Sequence, residues 1–196
     1  MRAELRVALA WLSELRLSSG AGSGMCLLLG ATGVGKSLLV KRLQKLSSRD
    51  GKGDLGDPPP TRPTVGTNLT DIVAQKKITI RELGGCMGPI WSSYYGNCHS
   101  LLFMVDASNP TQLSASCVQL LGLLSAEELA KASVLILFNK MFNPYLQCVQ
   151  ETLVFLSGST SSLALTALPV SEPNCKKDAS TEREMRCPPQ LPCDGG

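Results

Sequence analysis

Residues 30–37 read Gly-Ala-Thr-Gly-Val-Gly-Lys-Ser, which is the spacing G-x-x-x-x-G-K-[ST]. This pattern demands a strand before it and a helix after it, and both are written into the chain. Met25, Cys26, Leu27, Leu28 and Leu29 form a compact apolar run, as a buried strand does. Residues 38–46 follow with helical periodicity, which sets Leu39, Leu43 and Leu46 inward and Lys41, Arg42 and Lys45 outward. Glycines at Gly30, Gly33 and Gly35 let the backbone curl so that N–H groups converge on phosphate oxygens. The helix start adds its partial positive charge. Gly30, Ala31, Thr32, Gly33, Val34, Gly35, Lys36 and Ser37 are therefore the expected nucleotide contacts. Lys36 would reach the β- and γ-phosphates, and the Ser37 hydroxyl would ligate Mg²⁺.

The loop of residues 47–63 is rich in Gly and Pro, with Pro58, Pro59 and Pro60 in a row. It is too long for a structural turn and is a candidate mobile element. It runs into Pro63-Thr64-Val65-Gly66-Thr67-Asn68. Residues 69–74 and 77–83 are strand-like and are joined at Gln75-Lys76, so an antiparallel hairpin is expected. In the second stretch Ile78 and Ile80 share one face, and Thr79 and Arg81 the other. Glu82-Leu83-Gly84-Gly85 comes next, then a loop with Trp91, Tyr94 and Tyr95. A phosphate loop, a Pro-Thr loop, a hairpin and an acid-x-Gly-Gly turn, in that order, make a nucleotide-dependent switch. Trp91 is either packed under its loop or an anchor for a partner.

Beyond this, residues 101–105 and 133–138 are short apolar strands, the first ending at Asp106. An amphipathic helix over residues 111–124, extended by 126–131, lies between them. Strands alternating with helices predict an α/β fold with a mostly parallel sheet. Ligands then sit at the carboxyl ends of the strands.

Together, residues 30–37, the Pro63-Thr64-Val65-Gly66-x-Asn68 stretch, Gly84-Gly85 with Trp91 beyond, and residues 101–106 resemble the ADP-ribosylation-factor-like branch of small GTPases. Pro-Thr-x-Gly-x-Asn, and Gly-Gly in place of Ala-Gly, point to that branch over Ras. The resemblance covers about residues 25–140. It implies a P-loop small-GTPase-like sheet with flanking helices, GTP/GDP and Mg²⁺ as cofactors, and recruitment of protein effectors and regulators through the switch loops. The setting it implies is membrane and ciliary traffic. By this resemblance Thr64 joins Ser37 as a Mg²⁺ ligand, Gly85 contacts the γ-phosphate, and Asn139 and Lys140 open the guanine-reading Asn-Lys-x-Asp.

The chain also departs from that pattern. The family's switch aspartate is Glu82 here, and its water-positioning glutamine falls at Cys86. A thiol orients attacking water poorly, so no catalytic residue is assigned and slow or absent hydrolysis is expected. Phe142 stands where the motif has its Asp. Losing a charge-assisted hydrogen bond of ~1.5–3 kcal/mol costs roughly one to two decades of affinity. From Met141 the resemblance stops, which suggests an alternative carboxyl terminus and an incomplete carboxyl-terminal part of the fold. In that case the strand over 133–138 would lack its outer neighbour, while the short apolar pieces 151–156 and 163–170 are candidates for a makeshift strand.

Four segments follow from this reading: a helical leader and linker (1–24), the nucleotide-binding domain (25–140), an atypical apolar segment (141–170) and a disordered tail (171–196). In the leader, Leu5, Ala8, Leu9, Leu12 and Leu15 recur at helical spacing. Two readings stay open for it: a peripheral contact with a membrane or partner, and a solvated leader with no role, which is favoured. Arg2 follows Met1, so this form is not a myristoylation substrate.

A net charge of +3 without long basic runs, and 5% aromatics, exclude nucleic acid as a partner. The eight cysteines contain no CxxC pair and are joined by one histidine, His99, which argues against zinc and for reduced thiols in the cytoplasm. Two other functions compete with the switch: a truncated, non-enzymatic isoform acting through protein contacts alone, and an ATP-using P-loop kinase. The kinase lacks an arginine-bearing lid in this sequence.

Overall fold

The computed structural model describes residues 2–14, 25–47, 59–73, 77–140 and 163–167. The elements run α1 (Arg2–Glu14), β1 (Met25–Leu29), α2 (Lys36–Ser47), β2 (Thr67–Val73), β3 (Lys77–Leu83), a stretch of 3-10 turns (Gly85–Asn97), β4 (Ser100–Asp106), α3 (Pro110–Leu124), β5 (Ser133–Asn139) and β6 (Leu163–Ala167). The six strands make one sheet in the order β2-β3-β1-β4-β5-β6. Only the β2–β3 hairpin is antiparallel, with Ile72 opposite Ile78. Strand β1 pairs in parallel with β3 on one side and β4 on the other. The order of connection therefore reverses at β1, and its carboxyl end opens the crevice where such sheets bind ligands.

The central strands β1, β4 and β5 are apolar apart from the polar ends of β4 and β5, because both faces of the sheet are covered. On one face Leu27, Leu29, Phe103, Val105, Ile136 and Phe138 pack with Trp91, Leu120 and Leu123. On the other, Cys26, Leu28, Ile80, Leu102, Met104, Leu135 and Leu137 pack under α1 and α2. Trp91 is 2% exposed and donates its indole N–H to the Gly84 carbonyl at 3.3 Å. It is an internal anchor of its loop, which settles that alternative in favour of packing.

Several expectations are corrected. The leader helix is not solvated: Leu5, Ala8 and Leu12 are 1%, 0% and 2% exposed and belong to the core. α1 lies against α2 and β6. Arg42 is buried on α2 rather than outward, although Lys41 and Lys45 face solvent as expected. Thr67 and Asn68 extend β2 instead of ending a loop, because they pair with Leu83 and Glu82. α3 stops at Leu124, where the Ser125 N–H and hydroxyl both bond to the Leu121 carbonyl, and only a single 3-10 turn (Glu127–Leu129) follows. The outer edge of β5 is not open, since β6 pairs along it from Val134↔Leu163 to Phe138↔Ala167. Phe142 and the segments 141–162 and 168–196 lie outside the described residues.

Candidate nucleotide site

The phosphate loop joins the end of β1 to the start of α2. Its curl depends on Gly35, at φ 103°, where a Cβ would come within 2.6 Å of the Asn139 amide nitrogen. Lys36 is 5% exposed, and its ammonium donates to the Gly30 and Ala31 carbonyls at 2.7 and 2.8 Å. Burial pushes its pKa down to about 8, while the Glu82 carboxylate and the Cys86 thiol work in the opposite direction.

Three oxygens from three elements meet beside this loop. The Ser37 hydroxyl at the head of α2 donates to Glu82 Oε1 at 2.5 Å. Thr64 Oγ1, from the Pro-Thr loop, donates to the same oxygen at 3.0 Å and lies 3.1 Å from Ser37 Oγ. Glu82 is the last residue but one of β3 and is 2% exposed, and its other oxygen, Oε2, is buried without a hydrogen-bond partner. A stranded buried carboxylate oxygen is costly. Two hydroxyls and a carboxylate are the donor set that hard divalent cations take. The residues present therefore fit a Mg²⁺ ion.

A cleft of about 240 Å³ runs between the phosphate loop, residues 61–64, Glu82 and Gly85. Gly85 approaches the phosphate loop so closely that a Cβ there would overlap the Thr32 backbone nitrogen and the Ala31 carbonyl carbon. Only glycine permits this approach. The Gly84 N–H donates to the Gly66 carbonyl at 2.9 Å, which ties the two switch loops together. Cys86 is exposed.

Of the residues expected to contact the nucleotide, Thr32, Gly33, Gly35, Lys36, Ser37, Thr64 and Gly85 line the cleft. Gly30, Ala31 and Val34 do not: the first two hold Lys36 through their carbonyls, and the Val34 side chain is fully buried in the core. Asn139 and Lys140 also lie off this cleft. The Asn139 amide donates to the Val34 carbonyl at 2.7 Å, so it braces the phosphate loop from behind. The Lys140 ammonium bonds to Asp106 Oδ2 at 2.6 Å. Burial alone would push the Asp106 carboxyl up, but hydrogen bonds from Lys140 and Ser108 outweigh it and hold the group below its ordinary value.

Sequence reasoning left out Arg62, which lines the cleft, and Gln112, whose amide reaches the Thr32 carbonyl at 3.3 Å. It noted Glu82 as a departure without counting it in the cation site. Its place in the acid-x-Gly-Gly turn was the available signal.

The model of the ADP-ribosylation factor family matches residues 11–161. Human ADP-ribosylation factor-like protein 16 is 81% identical over 139 residues, which cover 71% of this chain and 71% of that protein. ADP-ribosylation factor-like protein 1 of Drosophila melanogaster is 32% identical over 132 residues, covering 66% of this chain and 68% of its own length. Among solved structures, the Arl6 (BBS3) small GTPase of Trypanosoma brucei, with the bound nucleotide analogue GppNp, superposes with a TM-score of 0.60. It covers 75% of this chain and 87% of that one, and at 18% identity it supports the fold.

Proposed function

The chain belongs to the ADP-ribosylation factor family of GTP-binding switches, and from that premise we propose that it is a Mg²⁺-dependent guanine-nucleotide switch that hydrolyses GTP slowly. One observation carries this reading: Ser37, Thr64 and Glu82 direct their oxygens to one point in the cleft that Lys36 also lines. Lys36 would neutralise the terminal phosphates. Ser37 and Thr64 would hold the cation, which supplies charge neutralisation between phosphates when bound. The Gly85 N–H would meet the γ-phosphate, and its tie through Gly84 to Gly66 would couple both loops to that one group. Cys86 offers no amide to orient water, which supports slow turnover. The GTP state would recruit protein effectors in membrane and ciliary traffic, from the cytoplasm, where free thiols persist. Among the described residues no helix is long and apolar enough to cross a membrane.

Phe142, at the position of the base-reading carboxylate, favours a second reading, in which the chain acts through protein contacts alone. Nucleotide titration separates the two. GTP binding with Mg²⁺ that Lys36→Ala abolishes, with weaker ATP binding, supports the switch. A folded protein that binds neither nucleotide leaves protein contacts as its function.

A further inference from the structure

Residues 61–64 form one wall of the cleft, and this strap is tied down on both sides. Ahead of it, the Pro60 carbonyl accepts from the Lys41 ammonium on α2 at 3.0 Å. At its far end, Thr64 Oγ1 donates to Glu82 Oε1 at 3.0 Å. Between these ties stands Arg62, an exposed residue that lines the cleft together with Lys36 and Gly85. Pro63 follows it and bars its backbone from the helical region, which keeps the strap extended there. The other cations beside the phosphate loop are already engaged: Lys36 with the Gly30 and Ala31 carbonyls, Lys41 with Pro60, and Lys140 with Asp106. Among the described residues, Arg62 has no hydrogen-bond or ion-pair partner. A guanidinium is a planar fork of donors that matches phosphate oxygens.

We propose that Arg62 is a catalytic residue, an arginine supplied by the chain itself that stabilises the charge developing as GTP is cleaved. The proposal rests on the nucleotide-site reading above. In that step a water oxygen bonds to the γ-phosphorus as the bond to the oxygen bridging the β- and γ-phosphates breaks. The electron pair stays on the bridging oxygen, which leaves as part of GDP. The inorganic phosphate carries away the water oxygen and both of its protons. The Arg62 guanidinium donates to the bridging and γ-phosphate oxygens while this charge grows, and a donor held in place beforehand acts there without reorganising. It offsets charge but orients no water, so turnover stays slow where Cys86 supplies no amide.

The test uses the full chain loaded with GDP and Mg²⁺, with no second protein present. Aluminium fluoride mimics the γ-phosphoryl group in transit, and fluorine NMR follows its capture. Wild type should capture it, and Arg62→Ala should not. Arg62→Lys should recover part of the capture, since an ammonium keeps the charge without the fork. In single-turnover hydrolysis Arg62→Ala should be about a hundredfold slower than wild type. Its GTP affinity should stay within about threefold of wild type, because a contact made in the transition state alone is absent from ground-state binding. Arg62→Ala matching wild type in capture and rate overturns the proposal. So does a wild type that binds GTP but neither captures the fluoride nor hydrolyses GTP. A variant that loses GTP affinity as much as rate makes Arg62 a ground-state phosphate contact, which overturns the catalytic role. Lys36→Ala separates these failures from failure of the site: GTP binding left intact by that change would sink the nucleotide-site reading itself.

Discussion

Truncating Leu12 to alanine tests whether the amino-terminal helix is part of the fold. Leu12 is 2% exposed and shares a core cluster with Leu5, Ala8, Val40 and Leu43, and with Leu135 and Leu137 of β5. Leu12→Ala removes three carbons from that cluster and leaves a cavity, a change that costs about 2–5 kcal/mol. Domains of this kind have a total stability of about 5–15 kcal/mol. With a urea m-value of about 1–3 kcal/mol/M, the midpoint should fall by about 1–2 M. Arg6→Ala, on the exposed side of the same helix, should stay within about 0.5 kcal/mol of wild type. Equilibrium urea denaturation gives both numbers. A Leu12→Ala variant as stable as Arg6→Ala would refute the packing argument and return the helix to solvent.

Gly85→Ala should drive its loop off the phosphate loop, and loss of one backbone N–H to phosphate predicts a drop of about tenfold or more in GTP affinity. Unchanged GTP titration would contradict the close approach. The Asp106 carboxyl is held below its ordinary value, so its pairing stabilises the fold above the normal carboxylate range and is lost as pH falls through the depressed value. The stability gap between wild type and Asp106→Asn should therefore be full near neutrality and shrink on acidification, and a gap that widens in acid would be the wrong sign. Alkylation by iodoacetamide near pH 7.5 should reach Cys86 first among Cys26, Cys86, Cys98 and Cys117. Cys86 is exposed, whereas burial pushes the Cys26 thiol up to about 12 and Cys98 up to about 11. Mass mapping of a time course checks the order, and a Cys26 adduct forming as fast as that of Cys86 would sink it.

What the sequence made legible was local. The phosphate loop, β1 and α2 could be read because glycine geometry, an apolar run and helical periodicity act over a few residues each. The hairpin was legible for the same reason, down to Ile78 and Ile80 sharing a face. What escaped depends on pairs distant in the chain. The apolar stripe of α1 was visible, but its destination beside α2 and β6 was not, since periodicity names a face and never its partner. Arg42 read as outward because its charge outweighed its position on the helix, yet it is buried. Asn139 could be read as a base contact. Its brace to Val34, 105 residues away in sequence, needed the sheet order to be seen. Ser37, Thr64 and Glu82 each looked relevant alone, and only the fold shows their oxygens meeting.

The seat of α1 has a bearing on how the chain is made. α1 is made before every other described element, yet it rests on β6, the last of them. Through most of translation, the apolar stripe of Leu5, Ala8 and Leu12 has only part of its binding surface available. Closing a contact over roughly 150 residues adds little entropy cost beyond a shorter loop, but it does slow folding. Among the described elements, α1 is thus the segment that waits longest for its place, and the one a chaperone would have most time to meet.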